Sequence, residues 1–203
     1  MSRMYGTGCL KSHLDGTERV FKASKLDKIP TEYSYIGMMP PVLDQGKTSM
    51  CVCYSVTSFL DWYVNQDEGT NESNGFDIKK LYSIRSNSGE GMEIKEALHY
   101  LRHKGLNGVK ISEYAMVKSD LALQQALIAN GPCILGLPVY DNDSDAFWER
   151  RGSYAGGHAI LCVGYDRDGF ILRNSWGKSW AQKGYIRWPY EDFGAMFEAW
   201  TIL

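Results

Sequence analysis

The order of hydrophobic and polar positions divides the chain into a helical first part and a strand-rich second part. From Met50 onward, apolar residues recur every three or four positions, which predicts an amphipathic helix over about 51–65. These residues are Val52, Val56, Phe59, Leu60, Tyr63 and Val64. The same periodicity predicts shorter helices over 78–86, 94–103 and 121–129, and glycine follows the last two of them closely.

Four apolar runs bounded by turn residues follow: ILGLPV, HAILCVGY, GFILRNSW and GYIRW. By contrast, residues 1–40 are polar and punctuated by glycines, and they close at Pro40-Pro41 in extended conformation. We interpret residues 1–29 as an N-terminal strap and 30–203 as one domain. The order of helices before strands predicts an α+β protein, with a helical lobe over about 42–120 and an antiparallel β-rich lobe over about 121–203.

Composition excludes several classes of protein. The 203 residues carry a net charge of −2, so the chain lacks the basic excess that binding to nucleic acid requires. The apolar stretch 132–139 is far shorter than the roughly 20 residues that cross a membrane. The first 29 residues lack the apolar core of a secretory signal. These features predict a cytoplasmic protein, or one carried in a virus particle, that binds neither nucleic acid nor membrane, and they leave the oligomeric state open.

Five cysteines, at irregular spacing, predict reduced thiols rather than a disulfide framework. Cys133 and Cys162 lie inside apolar runs and are expected to be buried as small hydrophobic residues. Cys51, in DQGKTSMCVCYS, lies where the helical periodicity begins. The exposed N–H groups and the dipole of a helix start favour its thiolate form. Cys53 lies roughly 200° further around the helix and is expected to face away.

Two further segments carry residues that could act with this thiol. His158 follows two glycines in SYAGGHAILCVGYD, and Asn174 ends a predicted strand in FILRNSWGKSWAQKGYIRW. Taken alone, the histidine could be an edge residue and the asparagine a turn former. Together with Cys51 they compose a set for nucleophilic chemistry: an attacking sulfur, an imidazole that exchanges its proton, and an amide oxygen that orients the imidazole.

On these motifs the sequence resembles the papain-like (C1) cysteine peptidases, most closely their short bacterial and viral branch. The resemblance covers about residues 30–203 and implies the papain-like two-lobe fold, a polypeptide substrate and endopeptidase activity without metal or cofactor. It implies that Cys51 is the nucleophile, His158 its acid–base partner and Asn174 the orienting residue. Gln45, six positions before Cys51, matches the family glutamine of the oxyanion hole.

The resemblance also implies secondary roles for other residues. Ser55 matches the family serine one turn after the nucleophile, Ala159 a residue lining the main specificity pocket, and Trp176 the indole that shields the histidine–asparagine hydrogen bond. The segment GEGMEIKEALHYLRHKGL resembles the one along which substrate backbone pairs. On that basis Gly89 and Gly91 are candidate substrate contacts.

The chain departs from the family pattern around the nucleophile. Met50 and Val52 replace a serine and a tryptophan, and Thr48 stands where many relatives have a disulfide cysteine. The spacing from cysteine to histidine is shorter than the roughly 130–150 residues of papain and cathepsins. The segment before Pro30 is too short to resemble the inhibitory prosegment, so conventional zymogen control is not expected.

Other functions remain open on sequence alone. His99 and His103 have a spacing that can bind metal, but without a glutamate after His99 they are better explained as a solvated helix face. Cys51-x-Cys53 lacks the second ligand pair of a zinc site. The main rival is a papain-like scaffold kept as an inactive binding or assembly module. Acyl or amide transfer through the same site is the other alternative.

Overall fold

The computed structural model describes residues 5–22 and 29–203. Its four α-helices are α1 (Cys51–Glu68), α2 (Ile78–Ser83), α3 (Ile94–His103) and α4 (Asp120–Asn130). The predicted bounds of α3 are confirmed, whereas α1 extends further than predicted and α2 ends earlier. α1 ends at Gly69, whose left-handed φ of 66° suits glycine. Asp77 and Ser119 cap α2 and α4 by accepting backbone N–H bonds in the first turn.

A large sheet forms the second half of the molecule, as predicted. Its strands are β4 (Tyr114–Met116), β5 (Cys133–Tyr140), β6 (Tyr154–Tyr165), β7 (Gly169–Arg173), β8 (Tyr185–Pro189) and β9 (Glu198–Ile202). They lie in the order β4-β9-β5-β6-β7-β8 with antiparallel pairing throughout, and β2 (Tyr33–Ser34) pairs antiparallel with the end of β6. The sequence prediction missed β4 and β9.

The two faces of this sheet pack against different helices. Ile134, Leu161 and Trp200 belong to a hydrophobic cluster that includes residues of α1 and α3. Their neighbours along the strands belong to a second cluster with residues of α4. This alternation is what the two-residue repeat of a strand buried on both faces requires. Cys133 and Cys162 are opposite each other in the β5–β6 register and fully buried, as expected.

A separate two-stranded parallel sheet joins β1 (Cys9–Leu10) in the N-terminal strap to β3 (Met92–Glu93) just before α3. Residues 1–40 therefore hold two short strands, β1 and β2, within the described part. Residues 1–4 and 23–28 of this region lie outside the described residues. Among the helices of the described part, none is long and apolar enough to span a bilayer.

Candidate active site

Cys51 is the first residue of α1, as the hydrophobic pattern predicted. Its side chain is fully buried, and its Sγ accepts a hydrogen bond from the backbone N–H of Ala159 at 3.4 Å. Burial raises the pKa of this thiol to about 12, and the backbone N–H donors of Ala159 and Val52 only partly oppose the rise. The thiol is therefore neutral in this state, unlike the thiolate that a helix start alone would favour.

Cys53 occupies a different environment. Its Sγ lies 3.6 Å from Sδ of Met92, and burial raises the pKa of its thiol far above the ordinary value. Ser55, one turn after Cys51, donates through Oγ to the carbonyl of Ala159 at 3.0 Å. The helix that carries Cys51 is thus joined to the strand that carries His158 through both the N–H and the carbonyl of Ala159.

His158 lies in β6 and is completely buried. Its Nε2 lies 2.7 Å from Oδ1 of Asn174, which also accepts the backbone N–H of Ser175 at 2.7 Å. Because an amide oxygen only accepts, Nε2 carries the proton and donates it in this bond. The Trp176 ring packs over the imidazole at a centroid distance of 4.5 Å and helps to exclude water from the pair.

Gln45 lies beside this pair, and Ser175 holds its side chain. Ser175 Oγ donates to Oε1 of Gln45 at 2.6 Å, and the Gln45 backbone N–H donates to the Ser175 carbonyl at 2.8 Å. Its Nε2 donates to the carbonyls of Thr48 and Gly6, at 2.8 and 3.2 Å. Sequence reasoning missed Ser175, although it follows Asn174 directly.

The candidate substrate contacts differ in how close they lie to the site. Gly89 is exposed, and its carbonyl accepts from Arg85. Gly91 is buried, and a Cβ added there would lie 2.7 Å from the carbonyl oxygen of Gly8 in the N-terminal strap. The neighbouring Met92, which the sequence did not single out, donates its backbone N–H to that same oxygen at 2.8 Å.

The N-terminal strap crosses the site, and the backbone of Gly6 and Gly8 makes its contacts there. Gly6 donates its backbone N–H to Gly46, and its carbonyl accepts from Gln45 Nε2 and from Trp176 Nε1, the latter at 3.2 Å. Gly8 donates to the carbonyl of Gly157 at 2.9 Å. The carbonyl of Gly6, a peptide carbonyl of the chain itself, thus occupies the side-chain donors of Gln45 and Trp176.

The close approach of the N-terminal strap depends on its glycines and on one aromatic ring. A Cβ at Gly6 would lie 2.1 Å from the carbonyl oxygen of Thr48, and one at Gly8 would lie 2.3 Å from that of Ser49. Tyr5 stacks on Trp176 with the rings 4.9 Å apart and nearly parallel. Only a chain without side chains at these two positions fits this path.

Beyond the site, polar contacts hold the N-terminal strap to the body of the protein. The Ser12 backbone N–H donates to the buried carboxyl of Glu198 at 3.3 Å, and Ser12 Oγ accepts the backbone N–H of Lys95 at 3.1 Å. The Lys95 ammonium lies 2.6 Å from Glu18 and 3.7 Å from Asp15. The described part of this short segment thus lies across the site, and the expectation that conventional zymogen control is absent stays a prediction.

The comparisons with known proteins bear on the fold and the family. The family model described as "Papain family cysteine protease" matches residues 49–195, which include Cys51, His158 and Asn174. The chain belongs to the papain family of cysteine proteases. The predicted papain-like fold is confirmed as well, since the structure of xylellain, a cysteine protease from Xylella fastidiosa, superposes with a TM-score of 0.82. That match has 21% sequence identity and covers 100% of this chain and 98% of xylellain.

Curated relatives include a cathepsin L-like proteinase of Fasciola hepatica, 28% identical over 200 residues, with 79% of this chain and 59% of the relative covered. A gut-specific cysteine proteinase of Caenorhabditis elegans is 31% identical over 85 residues, which cover 38% of this chain and 26% of that protein. The chain therefore spans between a quarter and three fifths of the length of these two papain-family proteins.

Proposed function

We propose that this papain-family protein is a cysteine endopeptidase that hydrolyses polypeptides through an acyl-enzyme at Cys51. The observation that carries this proposal is the position of the Gly6 carbonyl. It accepts from Gln45 Nε2, in a site that also contains the buried Cys51 thiol and the His158–Asn174 pair. A peptide carbonyl is thus bound by the donor that a substrate carbonyl would need.

In the proposed reaction the Cys51 thiolate attacks the scissile carbonyl carbon, while Gln45 Nε2 and the Cys51 backbone N–H stabilise the oxyanion. His158 protonates the leaving amine and then removes a proton from the water that hydrolyses the acyl-enzyme. Asn174 fixes the ring orientation through its 2.7 Å bond to Nε2. Trp176 keeps water from that bond. Neither a metal nor a cofactor enters this scheme.

Substrate can reach Cys51 only after the N-terminal strap moves, because the side chain is fully buried in this state. The closed state described above is therefore a resting state in the proposal, and hydrolysis belongs to an open state. Displacement would free the donors that Gly6 occupies and the backbone groups of Gly157 and Met92 for a substrate.

The departures around the nucleophile are compatible with activity. Val52 is fully buried, and Met50 packs against the core cluster that includes residues of α1 and α3, so both replacements are accommodated by the fold. Membership of the bacterial and viral branch, and action in the cytoplasm or in a virus particle, stay predictions. Product analysis with an added amine would distinguish hydrolysis from acyl transfer.

The decisive experiment treats the purified full chain with an epoxysuccinyl or chloromethyl ketone probe, locates the adduct by mass spectrometry, and measures cleavage of a peptide library. Gly6→Ala is tested in parallel, since its Cβ would collide with Thr48 and open the site. Cys51→Ala should lose both labelling and cleavage, whereas Cys53→Ala should retain most of both. Labelling that follows Cys53, or a Gly6→Ala protein that cleaves nothing, would favour the binding-module alternative.

A further inference from the structure

Cys9 is a buried thiol that the proposed reaction does not use. It lies in β1 of the N-terminal strap, is 3% exposed, and stands opposite Met92 in the parallel pairing with β3. The residue before it, Gly8, is held between Gly157, which precedes His158, and Met92, and it passes close to Ser49. Cys9 is therefore the residue that follows directly after the strap has crossed the catalytic site.

Cys9 belongs to the same part of the core as three other sulfur-containing side chains. Cys9, Cys51, Cys53 and Met92 are all buried members of one hydrophobic cluster. The backbone path brings Gly8 beside Ser49 and the Cys9 carbonyl beside Gly157, two residues before the Ala159 N–H that donates to Cys51 Sγ. In line with this path, burial raises the pKa of the Cys9 thiol, and negative charge on Cys51 raises it further. Burial therefore keeps both thiols protonated when the strap is in place.

We infer that Cys9 is a resolving thiol for the nucleophile: when Cys51 is oxidised by a peroxide, Cys9 condenses with it to a disulfide that locks the N-terminal strap over the site. This inference rests on the proposed function, because it needs a Cys51 that becomes a reactive thiolate in the open state. The strap is held by non-covalent contacts, namely hydrogen bonds, the ion pairs of Lys95 and the stacking of Tyr5 on Trp176, so it is the partner that adjusts to the geometry of the disulfide.

The chemistry balances with a peroxide as the oxidant. In the open state the Cys51 thiolate attacks a peroxide oxygen, giving the sulfenic acid and, for hydrogen peroxide, water after proton uptake. When the strap returns, the Cys9 thiol attacks the Cys51 sulfur, the sulfur–oxygen bond breaks, and the leaving hydroxide takes the Cys9 proton and departs as water. The two thiols together lose two electrons, and a thiol reductant returns them by exchange.

The other thiols are less suited to this role. Cys53 lies two residues from Cys51 on the same helix, roughly 200° around it, with its sulfur against Met92. Cys133 and Cys162 belong to the cluster on the opposite face of the sheet. Cys9 alone among them lies on a segment that can approach the nucleophile without unfolding a helix or the sheet. Its disulfide would protect Cys51 from irreversible oxidation and keep the site closed.

The test exposes the reduced full-length protein to hydrogen peroxide, blocks the remaining thiols with an alkylating reagent, and maps crosslinked peptides by mass spectrometry. The wild-type protein should yield a Cys9–Cys51 crosslink and should regain most of its lost peptidase activity with a thiol reductant. Cys9→Ser should yield no crosslink, should accumulate sulfinic acid at Cys51, and should regain little activity. Cys53→Ser is the matched control and should behave as the wild type. Cys9→Ala provides a second variant that lacks the thiol, and it should behave as Cys9→Ser does.

The outcomes separate this inference from the proposed function. Oxidised Cys51 without a link to Cys9, in a protein that cleaves peptides, would overturn the inference and leave the peptidase intact. A crosslink from Cys51 to Cys53, or one between two molecules, would overturn it equally. A Cys9–Cys51 crosslink in a protein that cleaves no peptide would support the pairing and contradict the proposed function.

Discussion

The backbone N–H of Gly8 donates to the carbonyl of Gly157 at 2.9 Å, one residue before the buried His158. The same Gly8 accepts the backbone N–H of Met92. The N-terminal strap therefore engages main-chain groups on both sides of the site as an extended peptide does. Because each of these groups can serve only one partner in this way, the strap and a peptide substrate should exclude each other.

Replacing a strap glycine should therefore raise activity. The Cβ of Gly6→Ala would lie 2.1 Å from the Thr48 carbonyl oxygen, so the closed state must shift to accommodate it. Overpacking of this kind costs about 1–3 kcal/mol, which favours the open state by about 5-fold to 150-fold. We expect a rise of that order in kcat/KM for a fluorogenic peptide.

Gly37→Ala is the matched control, because a Cβ there meets nothing within 4 Å and the activity should not change. Equal activities for wild type, Gly6→Ala and Gly37→Ala would mean that the strap does not limit access in solution.

Ser175→Ala tests the support of the oxyanion donor. The change removes the 2.6 Å hydrogen bond to Oε1 of Gln45, and so the side-chain amide loses one of the contacts that orient Nε2. A hydrogen bond contributes about 0.5–1.5 kcal/mol, so kcat should fall by up to about tenfold while KM changes little.

Steady-state kinetics of Ser175→Ala and of Ser144→Ala, a change on an exposed loop, would supply the comparison. A rise in KM with unchanged kcat would contradict the positioning role of Ser175 and would indicate a role in substrate binding instead.

Much of the site was predictable because its residues occur at recognisable starts and ends of elements. Cys51 begins a helix with clear periodicity, His158 opens the most apolar part of β6, and Asn174 follows β7 directly. Ser175 was not predictable from pattern, since its role depends on its proximity to Gln45, 130 positions away in the chain. Only the folded structure brings the two together.

The position of the N-terminal strap was also beyond the sequence. Its contacts with Gln45, Gly157 and Met92 are made by backbone atoms of Gly6 and Gly8, which leave no side-chain pattern. The missed strands have a related explanation. β4 has three residues, and β9 is buried throughout, so neither shows the alternation by which an exposed strand is recognised.

Mild acid should not release the N-terminal strap. A hydrogen bond from Lys95 and one from the Asp15 backbone lower the pKa of its Glu18 from 4.5 to about 2. Hydrogen bonds from Thr17, with a smaller effect of Lys95, lower the pKa of Asp15 from 3.8 to about 2. A carboxyl group whose pKa is lowered in the closed state stabilises that state at pH values above its ordinary pKa. This stabilisation is lost only as the pH falls from the ordinary pKa towards 2. Burial raises the pKa of Glu198, and so closure should if anything strengthen as this group is protonated. Labelling of Cys51 should therefore not increase between pH 7 and 5.

Lys95→Ala should weaken the anchor and raise labelling of Cys51 at neutral pH, because both carboxylates lose their cation. Lys118→Ala, an exposed lysine, is the control and should leave labelling unchanged. A wild-type protein that opens sharply between pH 6 and 5 would show that another titrating group governs the strap.

The reactivity of Cys51 should depend on the position of the N-terminal strap and on pH together. In the closed state burial raises its pKa to about 12, against about 8.5 for a free cysteine, so the thiol should alkylate very slowly near neutrality. Closure thus favours the protonated thiol, and the closed state should become less stable as the pH rises through the lower Cys51 pKa of the open state.

In Gly6→Ala the helix start and the His158 imidazolium should stabilise the thiolate, so iodoacetamide should label Cys51 at least about tenfold faster at pH 6–7 than in the wild type. Cys133, fully buried in the sheet, should remain unlabelled in both proteins and so report that each is folded. If Cys51 labels in both with an ordinary profile centred near pH 8.5, the strap does not control the thiol and the ion pair is not formed.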